Sequence, residues 1–230
     1  MTSPSEVRVA RFDGTTRAVH WANAVLFLFL LTTGLVLSFG PLSTLVGRRA
    51  LVGRAHVIAG LLLPVPLVLG LAGRWGAGLR ADVAALNRWL AADRRWFRTL
   101  GRDRRARAGF GKFHPGQKAN AAFTAGAIPV MLLTGSIMRW HEPFPLSWRT
   151  GSTFVHDWVA TALLFTIVGH IVKALSDGEA LRGMLGGDVS EPWAARHHPR
   201  WRRERAGPLP QRVEGEGEVV GVPAELGHGG

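Results

Sequence analysis

The 230-residue sequence has no cysteine and no tyrosine, and 16 acidic side chains stand against 28 Lys and Arg. Without cysteine there is no disulfide framework, no Cys-ligated zinc or iron–sulfur site, and no Cys-x-x-Cys-His attachment of a c-type haem. Charged residues are also sparse, at 19% of the chain, while hydrophobic residues reach 47%. A net charge of +12 would suit a nucleic-acid binder, but the apolar fraction is far too high for one. A chain both apolar and basic, with nine Trp, reads as a membrane protein whose cations lie outside the hydrocarbon.

Crossing a bilayer takes roughly 20 mostly apolar residues per helix. Four stretches meet that length, at roughly 18–39, 51–72, 119–138 and 153–175. In lipid each must be helical, because its backbone groups have no water to bond. The expected fold is therefore all-α, an integral membrane four-helix bundle. The first stretch is longer than a signal-peptide core, and no small-x-small cleavage pattern follows it closely. The second carries Arg54 and His56 near its start and Pro64 and Pro66 in its middle.

Orientation follows from the cations. The segment between the second and third stretches is dense in Arg and Lys from Arg74 to Lys118. Arg8, Arg11 and Arg17 precede the first stretch, and the chain after the fourth is again Arg-rich. Positive segments stay cytoplasmic, so both termini and the long middle segment are expected inside. The short loops near 40–50 and 139–152 then face outward. Most of the basic charge is thus a topology signal and an anionic-lipid contact, with no nucleic-acid partner implied.

Within the middle segment, Asp82 to Leu100 sets apolar residues at helical spacing among Arg. It is expected to form a cytoplasmic amphipathic helix on the inner membrane surface, or equally a helix packed on a partner. Residues 1–205 are read as one membrane domain, and 206–230, rich in Gly, Pro and Glu, as a disordered tail.

Four of the nine histidines fall within the apolar stretches. An ionisable residue there is costly and signals function. By topology, His20 and His170 lie near the inner face, while His56 and His156 lie near the outer face. On the fourth stretch, fourteen residues separate His156 from His170, which is about 21 Å of helix rise and within roughly 40° of whole turns. Both rings therefore leave one face of the helix. Neutral imidazole binds iron well, and two facing imidazoles per layer suit bis-histidine b-type haem. Gly60 and Gly169 lie beside these ligands and would leave room for a porphyrin. A proton or ion pathway built on the same histidines, and a membrane anchor without redox chemistry, are the competing readings. A transporter would want carboxylates in the membrane, and Asp157 is the one candidate.

Three segments resemble the cytochrome b (gamma) subunit of respiratory formate dehydrogenases. They are Arg17-Ala18-Val19-His20-Trp21, Lys112-Phe113-His114-Pro115-Gly116-Gln117-Lys118, and His156 to His170 continuing to Glu191-Pro192-Trp193 and His197-His198-Pro199-Arg200-Trp201. The Arg-x-x-His-Trp opening is shared with the wider group that includes hydrogenase cytochromes b. The other two are more specific to the formate dehydrogenase branch.

The resemblance covers roughly residues 8–205. It implies a subunit in the bacterial cytoplasmic membrane holding two haems b. His20 and His170 would ligate the inner iron, and His56 and His156 the outer iron. Electrons would come from an outer-side iron–sulfur subunit, itself served by a molybdenum or tungsten catalytic subunit. They would leave to menaquinone or ubiquinone beside the inner haem, at Gly116, Gln117 and His114. The family has Asn-Ala where this chain has His114-Pro115. Arg17, Lys118, Arg49 and Arg54 are candidates for haem propionates, or else simple topology charges. With no cysteine, the chain is not expected to oxidise formate itself. The runner-up is the b-type cytochrome of an uptake hydrogenase or of another quinone-linked oxidoreductase.

Overall fold

The computed structural model describes residues 7–206. Among these, four helices are long and apolar enough to cross a membrane: Gly14–Ser38, Arg49–Ala72, Pro115–Arg139 and Leu146–Leu175. Each packs on the next in chain order, and the fourth returns to the first, so the bundle closes on itself. Large apolar side chains such as Leu28, Phe29, Leu69, Leu133, Phe165 and Val172 point outward. That surface is matched to lipid, and the protein is a multi-pass membrane bundle. The end where the chain enters the first span and leaves the fourth is called basal below, and the opposite end distal.

The helices outrun the apolar stretches because hydropathy marks the hydrocarbon and not the helix end. The first begins at Gly14, where Asp13 Oδ1 accepts from the Thr16 amide at 2.7 Å. An N-cap of this kind satisfies one of the otherwise orphaned amides of the first turn. The third begins with Pro115 in the first turn, where proline loses no hydrogen bond. The fourth starts at Leu146 and runs through polar Ser147, Arg149 and Ser152 before its apolar part.

The second span is broken into Arg49–Leu62 and Val65–Ala72. Pro64 and Pro66 have no amide to donate, and a proline ring collides with the carbonyl four residues back. The Leu63 amide instead turns to the Gly60 carbonyl at 3.3 Å, and Val68 resumes the helix on the Pro64 carbonyl at 3.0 Å.

The single amphipathic helix expected over 82–100 is two helices, Ala77–Asn87 and Ala91–Arg98, followed by a 3-10 turn at Arg104–Gly109. The break has a local cause. Asp93 Oδ2 accepts from the Leu90 amide at 2.7 Å and starts a new helix, while the Arg88 carbonyl accepts from Lys118 Nζ at 2.8 Å. Asp82 and Asp93 are both buried. Each meets a lysine at the base of the third span, Lys112 and Lys118 respectively.

The basal end adds a two-stranded antiparallel ribbon, β1 (Arg8–Ala10) with β2 (Asp188–Ser190), pairing Val9 with Val189. Val189, Trp193, Ala194 and Trp201 form a small core beneath it. The chain segments before the first span and after the fourth are thereby tied together. Of the tail expected to be disordered, Ala206 ends the helix Pro199–Ala206, and the remainder lies outside the described residues.

Candidate functional site

The bundle brings four histidines into two pairs. The His20 and His170 ring centres are 6.1 Å apart with planes at 62°. The His56 and His156 centres are 6.4 Å apart at 63°. Each pair joins helices remote in sequence, and the two pairs lie one above the other on the fourth span. His170 is exposed, whereas the other three are half-buried.

The spacing can be tested against a bridging metal. A metal–imidazole bond of about 2 Å, added to roughly 1.1 Å from nitrogen to ring centre on each side, gives centres about 6.2 Å apart. Both pairs match this value. Among the described residues, however, no group of three or more His, Cys, Asp or Glu could hold a bare ion. Two imidazoles therefore fit a metal only when its other ligands come with it. A tetrapyrrole would do this, bringing most of the metal's ligands with it and leaving the histidines to complete the set.

The distal rings are held by hydroxyls that sequence reading overlooked. His56 Nδ1 lies 2.8 Å from Thr33 Oγ1, and His156 Nδ1 lies 3.0 Å from Thr134 Oγ1. A glycine follows each threonine. A Cβ on Gly34 would sit 3.5 Å from His56 Cε1, and one on Gly135 would sit 3.3 Å from His156 Cε1. The clue available in sequence was the repeat Leu-Leu-Thr-Thr-Gly at 30–34 and Leu-Leu-Thr-Gly at 132–135. Gly60 and Gly169, singled out from sequence, face Leu30 at 3.9 Å and open space respectively.

At the basal end His114 caps the third span. Its Nδ1 accepts from the Gly116 amide at 3.0 Å, and its own amide donates to Gln117 Oε1 at 2.8 Å. An accepting Nδ1 carries no proton, so neutral His114 has its N–H at Nε2. The ring rests edge-on against Trp96 and Phe110, at 4.9 and 5.0 Å. Burial, and then the charge of Lys173, push His114 below the ordinary imidazole pKa. With the Gln117 oxygen engaged, its side-chain NH₂ is left as a second donor.

Three of the four propionate candidates, Lys118, Arg49 and Arg17, are otherwise engaged. Lys118 Nζ lies 2.6 Å from Asp93 Oδ2, with both side chains buried. Arg49 donates to the Leu37 carbonyl at 2.6 Å and Ser43 Oγ at 3.1 Å. Arg17 donates to the Leu185 carbonyl at 2.5 Å.

The His197-His198 segment divides its roles. His197 is exposed. His198 is buried, with Nδ1 on the Gly111 carbonyl at 2.8 Å and Nε2 facing Arg11 Nη2 at 3.2 Å. Arg11 Nη2 also donates to the Lys112 carbonyl at 3.1 Å, and its guanidinium lies 4.6 Å from the Trp193 ring centre. Burial pushes Arg11 down to about 10. These contacts lock the carboxy-terminal segment onto the loop that leads into Gly116 and Gln117. His141 is exposed at the distal end.

The model of the prokaryotic cytochrome b561 family matches residues 11–187. The chain belongs to the prokaryotic cytochrome b561 family. Membership implies haem b and electron transfer. Among curated relatives, the nitrate-inducible formate dehydrogenase cytochrome b556(Fdn) subunit of Escherichia coli K12 is 35% identical over 101 residues, covering 42% of this chain and 46% of that protein. That match spans about half the length of the relative. The Escherichia coli K12 formate dehydrogenase cytochrome b556(fdo) subunit is 26% identical over 206 residues, covering 85% and 92%. The formate dehydrogenase cytochrome b556 subunit of Haemophilus influenzae is 26% identical over 209 residues, covering 87% and 84%.

Proposed function

We propose that this cytochrome b561-family chain is the membrane cytochrome b subunit of a formate dehydrogenase complex, holding two haems b and delivering electrons to quinone. The observation that carries the reading is the stacking of two histidine pairs, at 6.1 and 6.4 Å, along one helix. The names of the three relatives favour formate dehydrogenase over a hydrogenase.

The basal end is cytoplasmic, because the basic segments before the first span, between the second and third, and after the fourth all lie there. Held by each pair, haem b would supply reversible one-electron chemistry at two depths. His56 and His156 hold the distal site, facing an iron–sulfur partner linked to a molybdenum or tungsten subunit. His20 and His170 hold the basal site. The Nε2–H of His114 and the Gln117 NH₂ stand at the positive end of the third helix and donate to a quinone carbonyl. His114 acts there as a neutral hydrogen-bond donor, its Nδ1 being engaged by the Gly116 amide.

The test is the absorption spectrum and haem content of the purified full chain. Two b-type haems per chain, reducible by a quinol, are expected. A folded but colourless protein overturns the reading. Purification with an iron–sulfur subunit and a formate-oxidising subunit, with haem reduction driven by formate, separates this complex from a hydrogenase.

A further inference from the structure

We infer that Thr33 and Thr134 are positioning residues that fix the tautomer of the two distal histidines, leaving each Nε2 as a free lone pair for iron. The inference rests on the haem reading of the same pair.

A hydroxyl has one proton. Thr33 Oγ1 lies 2.8 Å from the Phe29 carbonyl and 3.2 Å from that of Leu30. Thr134 Oγ1 lies 2.8 Å from the Val130 carbonyl and 3.4 Å from that of Met131. A carbonyl only accepts, so both threonine protons go to their own helices. Each oxygen can then meet histidine Nδ1 only as an acceptor, and Nδ1 must carry the N–H. A neutral imidazole has one such proton, so Nε2 is bare in both rings.

Neither Nε2 has a proton to pass across the pair, and each Nδ1–H is held by its threonine. Metal ligation wants this arrangement, whereas a proton relay through the pair does not. The device is built twice, once in each half of the bundle, with Gly34 and Gly135 leaving space beside the ring edge. The basal pair lacks it. Among the described residues, no side chain or backbone group hydrogen-bonds the His20 or His170 ring.

An acceptor on Nδ1–H raises the basicity of the ligating nitrogen and favours the ferric state. Its loss should raise the midpoint potential of the distal haem alone. The experiment is a spectroscopic redox titration of the full chain carrying Thr33→Val and Thr134→Val together. Losing an outer-shell partner of this kind costs about 10- to 100-fold in metal affinity, and the lower end of that range sets the shift expected if the loss falls on the ferric state. A tenfold change in the reduced-to-oxidised ratio is about 59 mV for a one-electron couple.

The expected result is an upward shift, or selective loss, of one haem while the other is unmoved. Thr33→Ser with Thr134→Ser should restore the original potential. Thr32→Val serves as the control, because its hydroxyl bonds only the Leu28 carbonyl. If the double variant does not assemble, Thr134→Val alone is titrated. Two haems unmoved, two haems shifted equally, or an equal effect of Thr32→Val would each overturn the inference with the haem reading intact. A parent chain without haem would overturn the haem reading itself.

Discussion

The Lys118 ammonium and the Asp93 carboxylate meet at 2.6 Å with both side chains closed off from solvent. Asp93 also starts a helix through the Leu90 amide, and Lys118 also ties the Arg88 carbonyl. The pair braces the middle segment against the base of the third span, beside Gly116 and Gln117. Removing one partner of a buried ion pair strands the other charge and costs about 3–5 kcal/mol. Lys118→Met should therefore lower the thermal midpoint of the purified protein sharply. Lys118→Met combined with Asp93→Leu should recover much of the loss, since buried pairs add little net stability over apolar replacements. A double variant no more stable than the single one would show that the brace acts through its backbone contacts.

The pairing of the histidines is tested one ring at a time. On the proposed two-haem arrangement, His156→Ala should remove the haem shared with His56 and leave the other. His170→Ala should remove the haem shared with His20. Haem content per chain and low-temperature spectra distinguish the remaining species. Retention of both haems in either variant contradicts the pairing.

His114 combines a cap with a donor, and the two roles separate by substitution. His114→Ala removes both, and one lost hydrogen bond of about 1 kcal/mol corresponds to roughly a fivefold rise in KM for quinol. His114→Asn keeps a capping oxygen and an amide donor, so it should restore most of the affinity. Haem reduction by dithionite should be unchanged in both. An unaltered KM for His114→Ala would remove His114 from the quinone site.

Much of this was legible in the sequence, for a physical reason. Hydrocarbon thickness fixes span length, and unpaired backbone groups exclude anything but helix, so four apolar stretches give four spans. Depth then sorts the histidines without any contact information. What escaped was set by side-chain geometry at the basal end. Asp82 and Asp93 lie in an Arg-rich segment with no local cue to a lysine partner, yet they fold under to meet Lys112 and Lys118. His198 stands in a polar, Arg-rich run, and only the return of the chain to Arg11 and Gly111 buries it. Thr33 and Thr134 look like ordinary small residues of a membrane helix; the Leu-Leu-Thr-Gly repeat marks them as a pair, but only the packing shows that they face histidines.

The buried state of His198 makes the basal clamp sensitive to acid. Burial, then the neighbouring Arg11 charge, push its pKa down to about 3, and the Gly111 carbonyl opposes this. His197 and His114 add to the depression. In the unfolded chain the imidazole takes a proton near 6.5. The unfolded state thus binds more protons between those values, and stability falls as pH drops. Full stability is expected above about pH 6.5, with progressive loss toward pH 3. His198→Gln should flatten this dependence in thermal unfolding at pH 5 to 7.5, although it lowers stability at every pH.

Gly34 and Gly135 should differ in their tolerance of a methyl group. At Gly135 the added carbon would stand 3.3 Å from His156 Cε1, tighter than ordinary contact, while at Gly34 the gap to His56 is 3.5 Å. The added carbon would also come within 3.7 Å of His156 Nδ1, which Thr134 holds at 3.0 Å, so the ring cannot yield without disturbing that hydrogen bond. Gly135→Ala should therefore perturb the distal haem, seen as a broadened or shifted α-band and reduced occupancy. Gly34→Ala should leave the spectrum close to that of the parent. Equal spectra for the two variants would mean that the space beside His156 is not what sets its position.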